Sequence, residues 1–161
     1  RYRAEPGIQA NLRLLRSYLK REYASQPLLN RIVVLWASAR LPGLLSNQEK
    51  RQLVESIVKQ QQPDGGWNLA SLGTWQRSDQ TPQQTESDGY ATGLITLALA
   101  RTHAHRARTM GRAWLESHQN REDGSWRAYS LNKKRDAATD VGKFMTDAAT
   151  GYAVLALASG R

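Results

Sequence analysis

One short stretch occurs twice in this chain of 161 residues, and it constrains the fold more than any other feature. Residues 61–67 read Gln-Gln-Pro-Asp-Gly-Gly-Trp, and residues 119–126 read Gln-Asn-Arg-Glu-Asp-Gly-Ser-Trp. A Thr-Gly pair at 92–93, inside an apolar run, likewise returns at 150–151 inside another. The copies are 58 or 59 residues apart, and the one-residue slips fall in loops. A repeat of this kind predicts stacked helical hairpins.

The rest of the chain predicts six helices of two alternating kinds. The first, third and fifth carry apolar side chains on one face only, as Leu53 and Ile57 do opposite Arg51 and Lys59. This pattern is typical of a helix with one buried face. The second, fourth and sixth helices are apolar around most of their circumference. They should therefore be enclosed by other parts of the protein.

An outer layer of amphipathic helices around an inner layer of apolar ones satisfies both patterns. The sequence therefore predicts an all-α protein, an α/α toroid of three helical hairpins over about 7–40, 47–101 and 105–159. The three hairpins are expected to form a single partial toroid domain over 1–161.

Three helix starts carry capping signals. Residues 46–49, Ser-Asn-Gln-Glu, match the capping box and should begin the third helix. Asp88 and Asp147 are expected to cap the fourth and sixth helices, because Asp is favoured immediately before a helix. Two long polar connections, 68–87 and 127–145, are expected to lead into those two helices.

Composition excludes several classes of function. A net charge of +9 allows attraction to anionic lipid, so peripheral membrane contact stays open. The basic residues are scattered and no nucleic-acid motif accompanies them, so no nucleic-acid partner is expected. The absence of Cys excludes disulfides, thiolate nucleophiles and Cys-ligated zinc. The three His lack carboxylate partners at metal-ligand spacing, so no metal and no cofactor are expected.

The chain begins with Arg and not Met, and it stops directly after an apolar segment, so it is expected to be a piece of a longer protein. Its localisation is therefore left unassigned. No apolar run reaches the roughly 18 residues of a transmembrane helix, so no membrane span is expected.

The stretch 114–126 resembles the QW motif of squalene–hopene and oxidosqualene cyclases. The copy at 57–67 resembles it less closely, because Ser56 occupies the position of an aromatic residue; in the second copy Met110 replaces a basic residue. The resemblance covers most of 27–159 and implies half of an (α/α)₆ barrel, the C-terminal half. It implies structural roles for six residues: Gln61, Gly65, Trp67, Gln119, Gly124 and Trp126.

The catalytic acid motif of the cyclases that this chain resembles is not matched in its sequence. Squalene–hopene cyclases protonate an isoprenoid double bond with an Asp-x-Asp-Asp-Thr motif, whereas residues 88–92 read Asp-Gly-Tyr-Ala-Thr. Asp88 and Asp147 remain as acidic candidates, with plain helix capping as the alternative. Protein prenyltransferases have similar toroids, but Tyr90 stands where their zinc-binding Cys belongs, so zinc is not expected. The catalytic residues are therefore left unassigned.

Aromatic residues near the predicted helix starts are the candidate ligand contacts, because their π faces could stabilise a cationic polyene. They are Trp75, Tyr90, Phe144 and Tyr152. The function expected from the resemblance is a scaffold with part of a hydrophobic isoprenoid-binding cavity, inactive on its own. One alternative is a non-catalytic toroid that binds a lipid or a protein. Another is an (α/α)₆ carbohydrate-active enzyme with Trp75 or Tyr90 as a sugar platform beside an acidic pair.

Three hairpins would leave an open crescent with apolar surface on its concave side. The predicted helix at 146–159 has almost no polar face, and no outer helix follows it. Contiguous apolar surface is rare on a monomer and usually marks an interface. A homodimer with this helix at or near the interface is therefore expected.

Overall fold

The computed structural model describes residues 5–159, and within that range the protein is all-helical, with six α-helices and no β-strand. This confirms the prediction of an all-α protein. The α-helices are α1 (Pro6–Glu22), α2 (Leu28–Ser38), α3 (Asn47–Lys59), α4 (Gly89–Ala98), α5 (His105–Ser117) and α6 (Asp140–Ala158). Short 3₁₀ turns occupy Tyr23–Ser25, Leu69–Leu72 and Leu99–Arg101.

Side-chain caps begin α3 and α4 where the sequence predicts them. The Ser46 hydroxyl accepts the Glu49 amide at 3.2 Å, and the Glu49 carboxylate accepts the Ser46 amide at 2.7 Å. Asp88 Oδ1 accepts the Ala91 amide at 2.8 Å. Each bond satisfies a backbone donor that a helix start would otherwise leave unpaired.

The centre of the packing is α4, in which Gly89 and every residue from 91 to 98 are buried. It packs most extensively against α6, and also against α5 and α2. Two of the amphipathic helices pack against the apolar ones: α3 packs against α2, and α5 packs against α4 and α6.

The prediction that the apolar helices are enclosed on all sides is correct only for α4. On α2, Val33 and Trp36 are 40% and 36% exposed, and on α6, Val154 and Leu155 are 53% and 49% exposed. The reason is positional: α4 has neighbours on both sides, whereas α2 and α6 each have an uncovered flank among the described residues. The amphipathic α1 also buries less than its pattern suggests: Leu14, Leu15 and Tyr18 are largely exposed, and Leu19 packs against the core while only partly buried.

The sixth helix begins at Asp140, well before the predicted start, and Thr139 caps it by accepting the Gly142 amide at 3.2 Å. The polar connection predicted at 127–145 therefore ends early, and the prediction that Asp147 is an N-cap is wrong. Asp147 lies exposed in the helix interior.

Asp147 is also not the counterpart of Asp88 in the repeat; it lies one residue beyond that position. Thr92 and Thr150 accept the corresponding amides of the two turns, and Asp88 precedes Thr92 by four residues. Four residues before Thr150 is Thr146, which is therefore the counterpart of Asp88. Because one residue along a helix turns the side chain by about 100°, Asp147 faces away from that position.

The first Gln/Gly/Trp turn, residues 61–67, is closed by its own side chains. Gln61 Nε2 donates to the Gly65 carbonyl at 2.8 Å, and Gly65 has a φ of +91°, which a residue with a Cβ rarely adopts. The Trp67 indole donates to the Ile57 carbonyl at 2.9 Å, and the Trp67 amide donates to the Thr92 hydroxyl at 2.9 Å. The turn thereby fastens the end of α3 to the start of α4.

The second turn, residues 119–126, makes the same bonds at corresponding positions. Gln119 Nε2 donates to the Gly124 carbonyl at 2.8 Å, and Gly124 has a φ of +74°. The Trp126 indole donates to the Leu115 carbonyl at 2.8 Å, and its amide donates to the Thr150 hydroxyl at 3.1 Å. The six residues of the resemblance thus have equivalent structural contacts in the two turns.

Candidate functional site

Three aromatic side chains from the three apolar helices meet in one cluster. The ring centroids of Tyr90 (α4) and Tyr152 (α6) are 5.1 Å apart, with the ring planes at 79°. Those of Trp36 (α2) and Tyr152 are 6.2 Å apart at 78°. Both pairs have the edge-to-face geometry that aromatic quadrupoles favour. We call Trp36, Tyr90 and Tyr152 the aromatic cluster.

The structure brings together only two of the four predicted ligand contacts, Tyr90 and Tyr152, and it adds Trp36. Trp36 was not predicted as a ligand contact because it lies inside a uniformly apolar helix. The repeat gives no signal for Trp36, because α2 shares no residue with α4 at the 58-residue spacing.

The Tyr90 hydroxyl of the cluster is uncharged at neutral pH. Burial, with a smaller contribution from Tyr152, raises the pKa of Tyr90 to about 12. A phenol with this pKa stays protonated at neutral pH. The cluster therefore presents rings and hydroxyl groups to a ligand, a surface suited to an apolar chain or to a cation over a ring face.

A groove of about 480 Å³ runs beside the cluster at the carboxyl ends of α2, α4 and α6. Trp36 forms part of its wall, and apolar side chains line much of the rest, among them Leu97, Ala98 and Leu155. Arg101 and Arg40 lie at its polar side. Its size falls within the range of small-molecule sites.

Asp88 is the one strongly perturbed acid among the described residues. It is 1% exposed, Oδ2 accepts the Leu69 amide at 2.6 Å, and Oδ1 accepts the Ala91 amide. Burial raises its pKa to about 6, against the lowering effect of backbone donors at Ala91, Leu69 and Tyr90. These are the contacts of an N-cap that also fixes the first residues after the Trp67 turn.

Trp75 lies elsewhere, at the start of α2. A Cβ on Gly73 would come within 2.7 Å of the Trp75 ring and 3.1 Å of Pro27. Trp36 is nine residues beyond Pro27, which is about 13 Å along a helix axis. The Trp75 indole nitrogen is buried and has no hydrogen-bond partner among the described residues.

Phe144 and Asp147 also lie apart from the cluster. Phe144 is 72% exposed on α6, two turns before Tyr152. Asp147 is exposed on the same helix. The acidic candidates and the aromatic candidates therefore do not converge on one site.

A larger groove, about 700 Å³, lies between α3 and the corner at 101–104. Its walls include Val54 and Val58 together with Lys50, Arg51 and Arg101. In the next hairpin the position of Val54 is taken by Arg112, whose guanidinium donates to the Ala156 and Leu157 carbonyls at 2.9 Å.

No group of three or more His, Cys, Asp or Glu in residues 5–159 is arranged to hold a metal ion. Within the same range, no helix combines the length and hydrophobicity that crossing a bilayer requires.

Comparison with known proteins gives no relative: the chain matches no protein-family model, no curated protein and no solved structure.

Proposed function

We propose that this chain forms part of an isoprenoid-binding α/α toroid similar to the squalene cyclases, and that it supplies scaffold and part of a hydrophobic cavity. The observation that carries the proposal is the aromatic cluster, which joins α2, α4 and α6 beside a groove with apolar side chains on one part of its wall and arginines on another. Equivalent Gln/Gly/Trp turns and the covering of α4 by α5 support a toroid of repeated hairpins.

The chemistry of the cluster suits an isoprenoid better than a polar ligand. Branched apolar chains gain free energy when they leave water, at about 25 cal/mol per Å² of buried surface. Ring faces add affinity for a polyene or for positive charge developing on it. The protonated Tyr90 hydroxyl introduces no negative charge that would have to be desolvated.

This proposal gives the chain no chemical step of its own. Both carboxylate oxygens of Asp88 accept backbone N–H groups, and Asp147 is solvent-exposed on α6. A proton donor for a cyclisation would have to come from another part of a longer parent protein. The carbohydrate-active alternative needs a sugar platform and an acidic pair, whereas Tyr90 packs against Tyr152 and Trp75 packs over Gly73.

The alternative favoured by a specific observation is a non-catalytic toroid that self-associates or binds a lipid. The exposed flank of α6 includes Val141, Phe144, Val154 and Leu155. We propose that two copies cover this flank against each other in a homodimer, because apolar surface of this kind usually marks an interface.

Binding of farnesol, an isoprenoid alcohol, tests the proposed function. Calorimetry should detect binding to the wild type, and Tyr152→Ala and Trp36→Ala should each weaken it about tenfold through lost apolar contact. Tyr18→Ala is the matched control, because Tyr18 is an exposed aromatic residue on α1. A straight-chain alcohol of equal length separates isoprenoid recognition from general lipid binding. No farnesol binding, or equal loss in all three variants, would contradict the proposal.

A further inference from the structure

The groove of about 700 Å³ beside α3 is separate from the aromatic cluster and plays no part in the proposed function. One wall is a face of α3, and the other is the corner at 101–104, where the chain passes from α4 into α5. We call it the α3 groove. Both of its walls lie well inside the described part of the chain. Its volume lies within the range of about 300–1,000 Å³ that ligand sites occupy.

Part of the lining of the α3 groove is apolar. Val54 and Val58 are four residues apart and therefore lie on one face of α3. Val58 is 39% exposed, whereas Val54 is only partly exposed and packs against the core, as does Ala104 on the opposite wall. An aliphatic chain in the groove would remove this apolar surface from water, which favours binding.

Four cationic side chains line the same groove, namely Lys50, Arg51, Lys59 and Arg101. None of the four side chains forms an ion pair or a hydrogen bond with another described residue. The described lining includes one carboxylate, that of Glu55, which is four residues from both Arg51 and Lys59 and pairs with neither. The groove therefore carries a positive charge that its own residues leave uncompensated.

Arg112 on α5 shows what a cation used inside the fold looks like. Its guanidinium donates to two backbone carbonyls of α6 and lies 3.8 Å from the Glu116 carboxylate. The four cations of the α3 groove have no such partners among the described residues, so they are available to an anion that enters it.

We propose that the α3 groove binds an amphiphile with one aliphatic chain and an anionic head group, of the fatty-acid type. The carboxylate pairs with the cationic side chains, and charge-assisted bonds of this kind are the stronger hydrogen bonds in proteins. The chain lies against Val54 and Val58. A concave site encloses a single molecule, whereas a helix that binds a bilayer inserts its apolar face into the lipid. One bound molecule therefore fits the groove better than a membrane surface.

Calorimetry with dodecanoate, below the concentration at which it forms micelles, tests the proposal on the full chain. The wild type should bind one molecule in the α3 groove. Arg51→Gln should weaken binding about tenfold, because a hydrogen bond between charged groups is lost. Val58→Glu should weaken it by at least as much, because it places a second carboxylate beside the head group and removes apolar contact. Both side chains are exposed, so neither change disturbs the core.

Matched controls make the same chemical changes outside the groove. Arg121→Gln and Leu14→Glu alter exposed residues that do not line it, and both should leave dodecanoate binding unchanged. Acetate and inorganic phosphate have the charge without the chain and should not bind detectably. Dodecanol has the chain without the charge and should bind to the α3 groove at least tenfold more weakly than dodecanoate.

The result is independent of the farnesol experiment. Trp36 lines the groove beside the aromatic cluster and not the α3 groove, so Trp36→Ala should keep the dodecanoate affinity of the wild type. The proposal is overturned if dodecanoate does not bind, or if Arg51→Gln and Arg121→Gln weaken binding equally. It is also overturned if acetate or phosphate binds as tightly as dodecanoate, or if the protein binds only to vesicles of anionic phospholipid.

Discussion

Gly93 of α4 lies against the backbone of Ala153 in α6, so closely that a Cβ on Gly93 would come within 2.7 Å of the Ala153 nitrogen. Gly151, which follows the second Thr as Gly93 follows the first, faces open space. The same dipeptide is therefore at a helix–helix contact in one helix and at an uncovered surface in the other.

The two glycines should respond to alanine in opposite directions. Gly93→Ala should lower the free energy of unfolding by about 1–3 kcal/mol, because a helix pair in contact must separate to admit a methyl group. Gly151→Ala should raise it by about 0.5–1 kcal/mol, since alanine costs less backbone entropy in a helix. Urea denaturation of both variants measures this, and equal destabilisation would show that α6 is covered on both sides.

The tryptophans of the two turns should have large and similar effects on stability. Trp67 is 0% and Trp126 is 3% exposed, and each indole donates to a carbonyl near the end of the preceding helix. Trp67→Ala and Trp126→Ala should each cost about 3–5 kcal/mol. Trp36→Ala should cost clearly less, because Trp36 keeps about a third of its surface in water. Thermal unfolding of the three variants measures these losses of stability, and a loss for Trp36→Ala equal to the other two would contradict the prediction.

Asp88 should make stability depend on pH in a definite direction. Its pKa in the folded protein is about 6, above the 3.8 of an ordinary Asp, so between these values the folded state holds a proton that the unfolded state releases. The free energy of unfolding should therefore fall as pH rises from 3.8 through 6, by up to about 3 kcal/mol from this group. Asp88→Asn does not titrate and should lack this component. Parallel pH profiles for the two proteins would exclude a protonated Asp88.

Self-association should depend on the exposed flank of α6. Light scattering at low micromolar concentration should give the mass of a dimer for the wild type and of a monomer for Leu155→Glu, because a carboxylate is costly to bury. Leu14→Glu is the control, since Leu14 is 71% exposed on α1 and lies outside the proposed interface. The proposed dimer would be contradicted if the wild type is a monomer, or if both variants dissociate alike.

Local signals in the sequence were reliable where a side chain bonds to its own neighbourhood. The Ser46 capping box and the Asp88 cap follow from residue types within three positions of each other. The Gln, Gly and Trp of each turn likewise act within about ten residues of one another. These contacts need no knowledge of distant parts of the chain.

Features that depend on contacts between distant parts of the chain could not be predicted from the sequence. The apolar pattern of α2, α4 and α6 is alike, yet only α4 lies between two other helices and is enclosed. The early start of α6 was missed because Asp140, Gly142 and Lys143 interrupt the apolar pattern in its first turn. Trp36 joins the aromatic cluster only because α2 and α6 both lie against α4.

The uneven covering of the helices also fixes the order in which the backbone opens to solvent. A helix packed on several sides exposes its amides only when the whole domain unfolds, whereas one with few tertiary contacts opens locally. In hydrogen–deuterium exchange, the amides of α4 should be the slowest in the chain. Those of α1, whose Leu14 and Tyr18 are mostly exposed, should exchange far sooner without loss of the remaining structure.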